Sequence, residues 1–174
     1  YGERNPFYYF VSHLDPHLNK LVREGRKNEF KDFYVDASNA KAPDAPETFE
    51  SSKLSWNIEQ DVEKKAMHAF YRELIGLRKT HPVLKITDKD SLEIHNNEKL
   101  FVMERWQGKQ RILVIMNFEN ESQPVALNLK NKFVKVLDST EKKWNGTGSG
   151  APETVHENGE ITVQKNSILI YSTQ

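Results

Sequence analysis

The sequence predicts an α+β chain: helices and loops over residues 1–82, then an all-β antiparallel sandwich over residues 83–174. Three observations carry this prediction. The pattern changes at His81-Pro82. Before it, "NIEQDVEKKAMHAFYRELIGLRKTHP" places Val62, Ala66, Ala69, Phe70, Leu74 and Leu77 on one helical stripe. After it, short runs alternate with period two at intervals of about 8–12 residues, the spacing of sandwich strands.

Taken in order, the first expected helix lies in "DPHLNKLVREGRKNEFKDF". Asp15 is placed to cap it, and Pro16 takes the first-turn position, where a missing N–H costs nothing. Leu18, Leu21, Val22 and Gly25 share a face. "YVDASNAKAPDAPETFESSKLSW" follows with no sustained period and with Pro43 and Pro46, a length of loop that compact domains use for function or docking. The long helix then opens where Asn57 and Gln60 have capping-box spacing, and Pro82 forces His81 out of helical geometry. The expected strands are "SLEIH", "KLFVMERW", "RILVIMNF", "PVALNL", "FVKVL", "EITVQ" and "SILIYS". Asn96-Asn97, Gly108-Lys109 and Asn158-Gly159 supply turn chemistry between runs. In "RILVIMNF", apolar residues at successive positions imply a central strand covered on both faces, by a second sheet and by the helix carrying Phe70 and Leu74. Leu113, Ile115 and Phe118 are its expected buried residues, and Lys64 is expected on the exposed side of the helix.

Composition narrows the function classes. The 174 residues hold 25 Lys plus Arg and 25 Asp plus Glu, so no net charge draws the chain to nucleic acid or an anionic membrane. Neither is an expected partner. No apolar run approaches the length of a membrane span. The absence of cysteine removes disulfides and thiolate metal sites and fits a reducing compartment, and the expected location is the cytoplasm. The first ten residues hold five aromatic rings, which predicts that a further segment packs against this opening.

The candidate binding residues are Phe7, Tyr9, Phe10 and His13. Flat rings with polar tips suit the apolar face of a pyranose, while burial in a core is the commoner fate of such a run. His13 and His17 are four apart, but the Asp15-Pro16 pair puts His13 outside the helix, so no metal site is expected. Arg23, Arg26 and Lys27 are interleaved with Glu24 and Glu29, the pattern of a salt-bridged helix face rather than a phosphate clamp. No serine-hydrolase elbow or zinc-protease pair occurs. A glycosidase needs two carboxylates held by rigid elements about a cleft. Near the aromatic run the candidates are Asp15 and Asp36, and capping accounts for Asp15. No catalytic residue and no cofactor are expected in this chain.

Several of these stretches resemble the end of glycoside hydrolases of the α-amylase family, most closely the malto-oligosyltrehalose trehalohydrolases. "YGERNPFYYFVSHLDPHLNKLVREGRKNEF" is similar to the segment after the last barrel strand, and "TFESSKLSW" to the family's Thr-Phe-x-x-Ser-Lys/Arg-Leu-x-Trp. "AFYRELIGLRKTHPVL" resembles the last barrel helix of the whole clan, and "ILVIMNFENESQPVALNL" with "NSILIYS" resembles its closing β-sandwich. Ser12-His13 stands where the family often has Asp-His. The resemblance implies that residues 1–82 are the end of a (β/α)8 barrel, that the nucleophile, general acid and helper aspartate lie on strands before Tyr1, and that the missing part of the barrel is a partner. It also implies an oligosaccharide substrate: a retaining enzyme would release trehalose from malto-oligosyltrehalose by cutting the adjacent α-1,4-glucosidic bond, with this chain as structure and substrate wall. The rival readings are a glycogen branching enzyme or other α-amylase relative, and a non-catalytic carbohydrate-binding or interaction module.

Overall fold

The computed structural model describes residues 2–5, 8–30, 41–97, 99–156 and 159–174, with Phe30, Asn96 and Asn97 as backbone alone. By packing, the chain divides into two compact units, residues 2–58 and 59–174. The change of pattern at Pro82 falls inside the second.

In the first unit, helix α1 (Pro16–Phe30) begins as expected, with the Asp15 carboxylate accepting from the His17 N–H at 2.8 Å. Helix α2 (Pro46–Ser51) interrupts the long loop. Its six residues are too few to show a period, but Pro46 at its first turn is a readable start. Thr48 is fully buried and donates to the Ala42 carbonyl at 2.6 Å, tying α2 to the chain before it.

The second unit opens with helix α3 (Val62–Thr80), and its cap differs from the expected one. Asp61, not Asn57, accepts from the N–H groups of Glu63 and Lys64. A capping side chain must sit at the residue where the backbone turns from extended to helical, and here that residue is Asp61, at φ −103° and ψ 114°. Val62 is consequently in the first turn and 70% exposed, which shortens the apolar stripe at its N-terminal end. Lys64, expected on the outside, is buried. His81 ends α3, and Pro82 starts the short helix α4 (Pro82–Lys85).

Eight strands follow: β1 (Leu92–Asn97), β2 (Leu100–Gln107), β3 (Gln110–Asn117), β4 (Gln123–Leu127), β5 (Phe133–Asp138), β6 (Thr154–Val155), β7 (Gly159–Val163) and β8 (Ser167–Ser172). Seven match the expected runs. β6 is the addition, two residues that pair with Phe133 and Val134 and are too short for alternation to register. Asn96 and Asn97, expected in a turn, continue β1 as far as the Asn97–Leu100 pair. The six-stranded sheet has the order β1-β2-β3-β8-β5-β6, and β4 pairs with β7 in a separate two-stranded sheet, every pairing being antiparallel. Gly108, at φ 58°, takes the first position of the two-residue turn joining β2 to β3, the conformation that favours glycine there.

β3 is central and covered on both faces. Leu113 and Ile115 join the core between the two sheets with Val125, Ile161, Val163 and Tyr171. Ile112 and Val114 face the other way, into a second cluster with Val83, Leu137 and Ile170, against which Phe70, Leu74 and Leu77 of α3 pack. Phe118 is the exception to the expected burial, 74% exposed, because β3 ends at Asn117 and alternation no longer governs the next side chain. Two further contacts tie the helix to the sandwich. The Phe70 ring meets Trp144 edge-on at 5.4 Å, and His81 Nε2 lies 2.9 Å from the Ser172 hydroxyl. Burial pushes the pKa of His81 down, favouring its neutral form.

Trp144 closes a 3-10 turn (Lys142–Trp144) after β5. A Cβ at the adjacent Gly146 would stand 2.3 Å from the Thr140 carbonyl oxygen, so only glycine fits. The turn is anchored by buried Asp138, whose carboxylate accepts from the Thr140 N–H at 2.8 Å, the Thr140 hydroxyl at 2.6 Å and the Ser149 hydroxyl at 2.5 Å. No helix among the described residues is long and apolar enough to cross a membrane.

The joint is tested by truncation. Leu74→Ala should cost about 2–5 kcal/mol in denaturant unfolding, as deletion of a packed leucine does. Arg72→Ala, on the exposed side of the same helix, should stay within about 0.5 kcal/mol of the parent.

Candidate functional site

The first unit carries its aromatic opening on irregular backbone, so other groups must fix it. Glu3 does most of this. Its Oε1 accepts from the N–H groups of Arg4 and Asn5 at 2.9 and 3.0 Å, and its Oε2 from the N–H and hydroxyl of Ser55 at 2.7 and 3.0 Å. These bonds favour the ionised form, the Asn5 and Ser55 N–H groups foremost, and hold Glu3 down at about 2. Asn5 Nδ2 donates to the Lys53 carbonyl at 2.6 Å, the Tyr8 N–H to the Ser52 hydroxyl at 3.3 Å, and the Val11 N–H to the Pro43 carbonyl at 2.9 Å. The opening segment is thus laid along the chain that contains α2.

Tyr8, Tyr9 and Phe10 of this segment are exposed. Tyr9 is 52% exposed and sits at φ 53°, a left-handed conformation uncommon outside glycine and concentrated at functional sites. Phe10 is 38% exposed and meets Phe49 of α2 at 5.3 Å in a tilted pair. Cations attend three rings: Arg26 lies 4.9 Å from the Tyr9 centroid, Lys41 4.9 Å from Tyr8, and Lys53 4.7 Å from Phe49. Phe10, Phe49, Ser52 and Lys53 line an open cavity of about 200 Å³.

Of the expected site residues, Phe10 lines that cavity, while the Tyr9 ring lies against Arg26 of α1. His13 is placed elsewhere: its N–H donates to Asn19 Oδ1 and its carbonyl accepts from Asn19 Nδ2, both at 2.8 Å, which seats the segment on α1. It is not among the residues lining the Phe10–Phe49 cavity. Phe7 and Asp36 lie outside the described residues. Sequence reasoning missed Phe49 and the three cations, because the pairing of Phe49 with the opening segment depends on α2. On α1, Glu24 pairs with Lys20, 3.9 Å apart. Arg23 instead forms two 2.6 Å bonds with Asp44, whose carboxyl is held below the usual range by that guanidinium. Half-exposed rings, hydroxyls and ammonium groups in this arrangement can stack on a sugar ring and hydrogen-bond its hydroxyls. The acids positioned near them, Glu3 and Asp44, are committed to backbone and arginine partners.

The C-terminal all-beta domain of the alpha amylases matches residues 93–174. The chain carries an α-amylase-family C-terminal domain. It is also similar to malto-oligosyltrehalose trehalohydrolases. The Brevibacterium helvolum protein is 37% identical over 152 residues, covering 87% of this chain and 24% of the relative. That of Saccharolobus solfataricus is 42% identical over 81 residues, covering 47% and 12%, and that of Mycobacterium tuberculosis 29% identical over 139 residues, covering 80% and 23%. The chain thus spans about a quarter or less of the relatives it matches. Among solved structures, a Salmonella typhimurium protein described as an alpha amylase superposes with a TM-score of 0.69 at 27% identity, covering the whole of this chain and 26% of that one. The α-amylase from H. orenii superposes with a TM-score of 0.50 at 20% identity over 75% of this chain and 25% of its own length, a likeness of fold alone. The expected α-amylase C-terminal sandwich is therefore present, preceded by a helical segment.

The Glu3 clamp has a pH signature. Its folded-state pKa, about 2, lies below the ordinary 4.5, so its contribution is fully present above about pH 4.5 and is lost as the pH falls toward 2. Glu3→Gln should lower the stability of the 174-residue chain at pH 7 and flatten the pH dependence of unfolding across that window. An unchanged slope would mean that the carboxylate does not hold the segment.

Proposed function

We propose that this chain is the C-terminal portion of a retaining glycoside hydrolase that releases trehalose from malto-oligosyltrehalose by cutting the adjacent α-1,4-glucosidic bond. The observation that carries the reading is the pairing of an α-amylase-family C-terminal domain with relatives named trehalohydrolases along most of the chain. Residues 1–82 are then the end of a (β/α)8 barrel, and the catalytic carboxylates belong to barrel strands before Tyr1. An exposed apolar line on α3, formed by Met67, Tyr71 and Ile75 at four-residue spacing, supports a seat for that missing part. The role of this chain is structure and substrate wall. Tyr9 and Phe10 stack on the oligosaccharide. The reading needs no cofactor, nucleic acid or membrane, and it places the enzyme in the cytoplasm.

The test compares maltotriosyltrehalose with maltodextrin as substrates for the enzyme with its barrel restored. Trehalose release by that enzyme, and none by the 174-residue chain alone, is the expected result. In the restored enzyme, Tyr9→Ala or Phe10→Ala should lower kcat/KM by about tenfold, since an aromatic contact is worth about 0.5–1.5 kcal/mol beyond its buried area. Unchanged kinetics with a lowered Tm would reduce both rings to a structural role.

A further inference from the structure

The two sheets of the sandwich differ in width, and the difference leaves a cavity. The six-stranded sheet faces a partner of only two strands, β4 and β7. β2, β3 and β8 bury their inward side chains in the core between the sheets, but among the described side chains β1 contributes nothing to it. Where the smaller sheet stops, an open cavity of about 430 Å³ lies between β1–β2 and the end of β4, within the range of ligand pockets. Val102, Leu113 and Leu129 give it an apolar floor, and His95, Glu104 and Asn128 give it a polar wall.

The polar wall breaks a rule of sheet pairing. Glu93 stands directly opposite Glu104 in the β1–β2 register and shares its face, and like charges so placed destabilise a sheet. The sandwich offsets the repulsion internally: Arg111 meets Glu104 at 2.7 Å, and His95 Nε2 lies 3.4 Å from Glu93. A carboxylate offers about four acceptor positions, so Glu104, which lines the cavity, keeps capacity beyond its bond to Arg111. No group of three or more His, Asp or Glu side chains among the described residues is disposed to hold a metal. An anion would meet the Glu104 carboxylate, and a cation would find it already paired. A neutral polyhydroxyl ligand fits both surfaces, its hydroxyls donating to Glu104 and Asn128 and its C–H face resting on Val102, Leu113 and Leu129.

We infer that this cavity of the sandwich binds a neutral oligosaccharide. The inference uses neither the exposed aromatic rings nor the proposed reaction. It is tested by titrating the isotope-labelled 174-residue chain with maltotetraose and following backbone amide signals. Saturable shifts are expected at His95, Val102, Glu104 and Asn128, and Glu104→Gln and Asn128→Ala should each weaken Kd at least about fivefold. Glu104→Gln keeps the side-chain shape, and signals from the β3 and β8 core report whether either variant is still folded. The absence of saturable shifts at these amides up to roughly 10 mM sugar, weaker than any specific site worth the name, would overturn the inference and leave the charges as a guard against edge-strand pairing. Shifts confined to Tyr8, Tyr9, Phe10 and Phe49 would overturn it too, while supporting a site at those rings.

Discussion

The second unit depends on one strand having no solvent face. β3 places Leu113 and Ile115 between the sheets and Ile112 and Val114 beneath helix α3, so a single run of backbone belongs to two cores. A sheet with one wet face would tolerate a loosely attached helix. Here the helix is the only cover for Ile112, Val114, Leu137 and Ile170 among the described elements apart from α4, and losing it would expose those side chains together. This makes residues 59–174 one body rather than a sandwich with an appended helix, and it explains why α3 ends where it does: the His81–Ser172 contact and the burial of Val83 need the chain to turn at Pro82.

The same packing sets where the sandwich can be open. With one face of the large sheet under α3 and the other under only two strands, the surplus width at β1 is the place left for groups that a core would reject. Glu93, His95 and Glu104 occupy it. At the other side of the large sheet, β5 and β6 meet a loop that is pinned instead, through Asp138 and the glycine-only position at Gly146. In the first unit, with few strands or long helices to fix the opening segment, side-chain bonds to backbone take over. Glu3, Asn5, Asn19 and Ser52 each hold a stretch that has no ladder of its own.

Much of this was legible from pattern. Alternation gave seven strands their places, and the unbroken run from Ile112 to Met116 carried the information that both faces of β3 are covered. What failed did so for local reasons. The cap of α3 fell on Asp61 because spacing alone does not say which residue makes the backbone turn. Lys64 is buried although it is charged, and Phe118 exposed although it is apolar, since composition is a weaker guide than position at the ends of elements. At the candidate site the exposed rings Tyr9 and Phe10 could be named in advance, but the Phe10 partner Phe49 could not, because that contact is made across the chain by a helix of six residues.

Hydrogen exchange on the 174-residue chain reaches the central claim most directly. If β3 is shared between two cores, amides of α3 from Phe70 to Leu77 and of β3 from Ile112 to Ile115 should exchange through the same global opening, with equal free energies and equal dependence on denaturant. Exchange of the α3 amides by a separate, lower-energy opening while β3 stays protected would contradict it, and would make the helix an appendage of the sandwich.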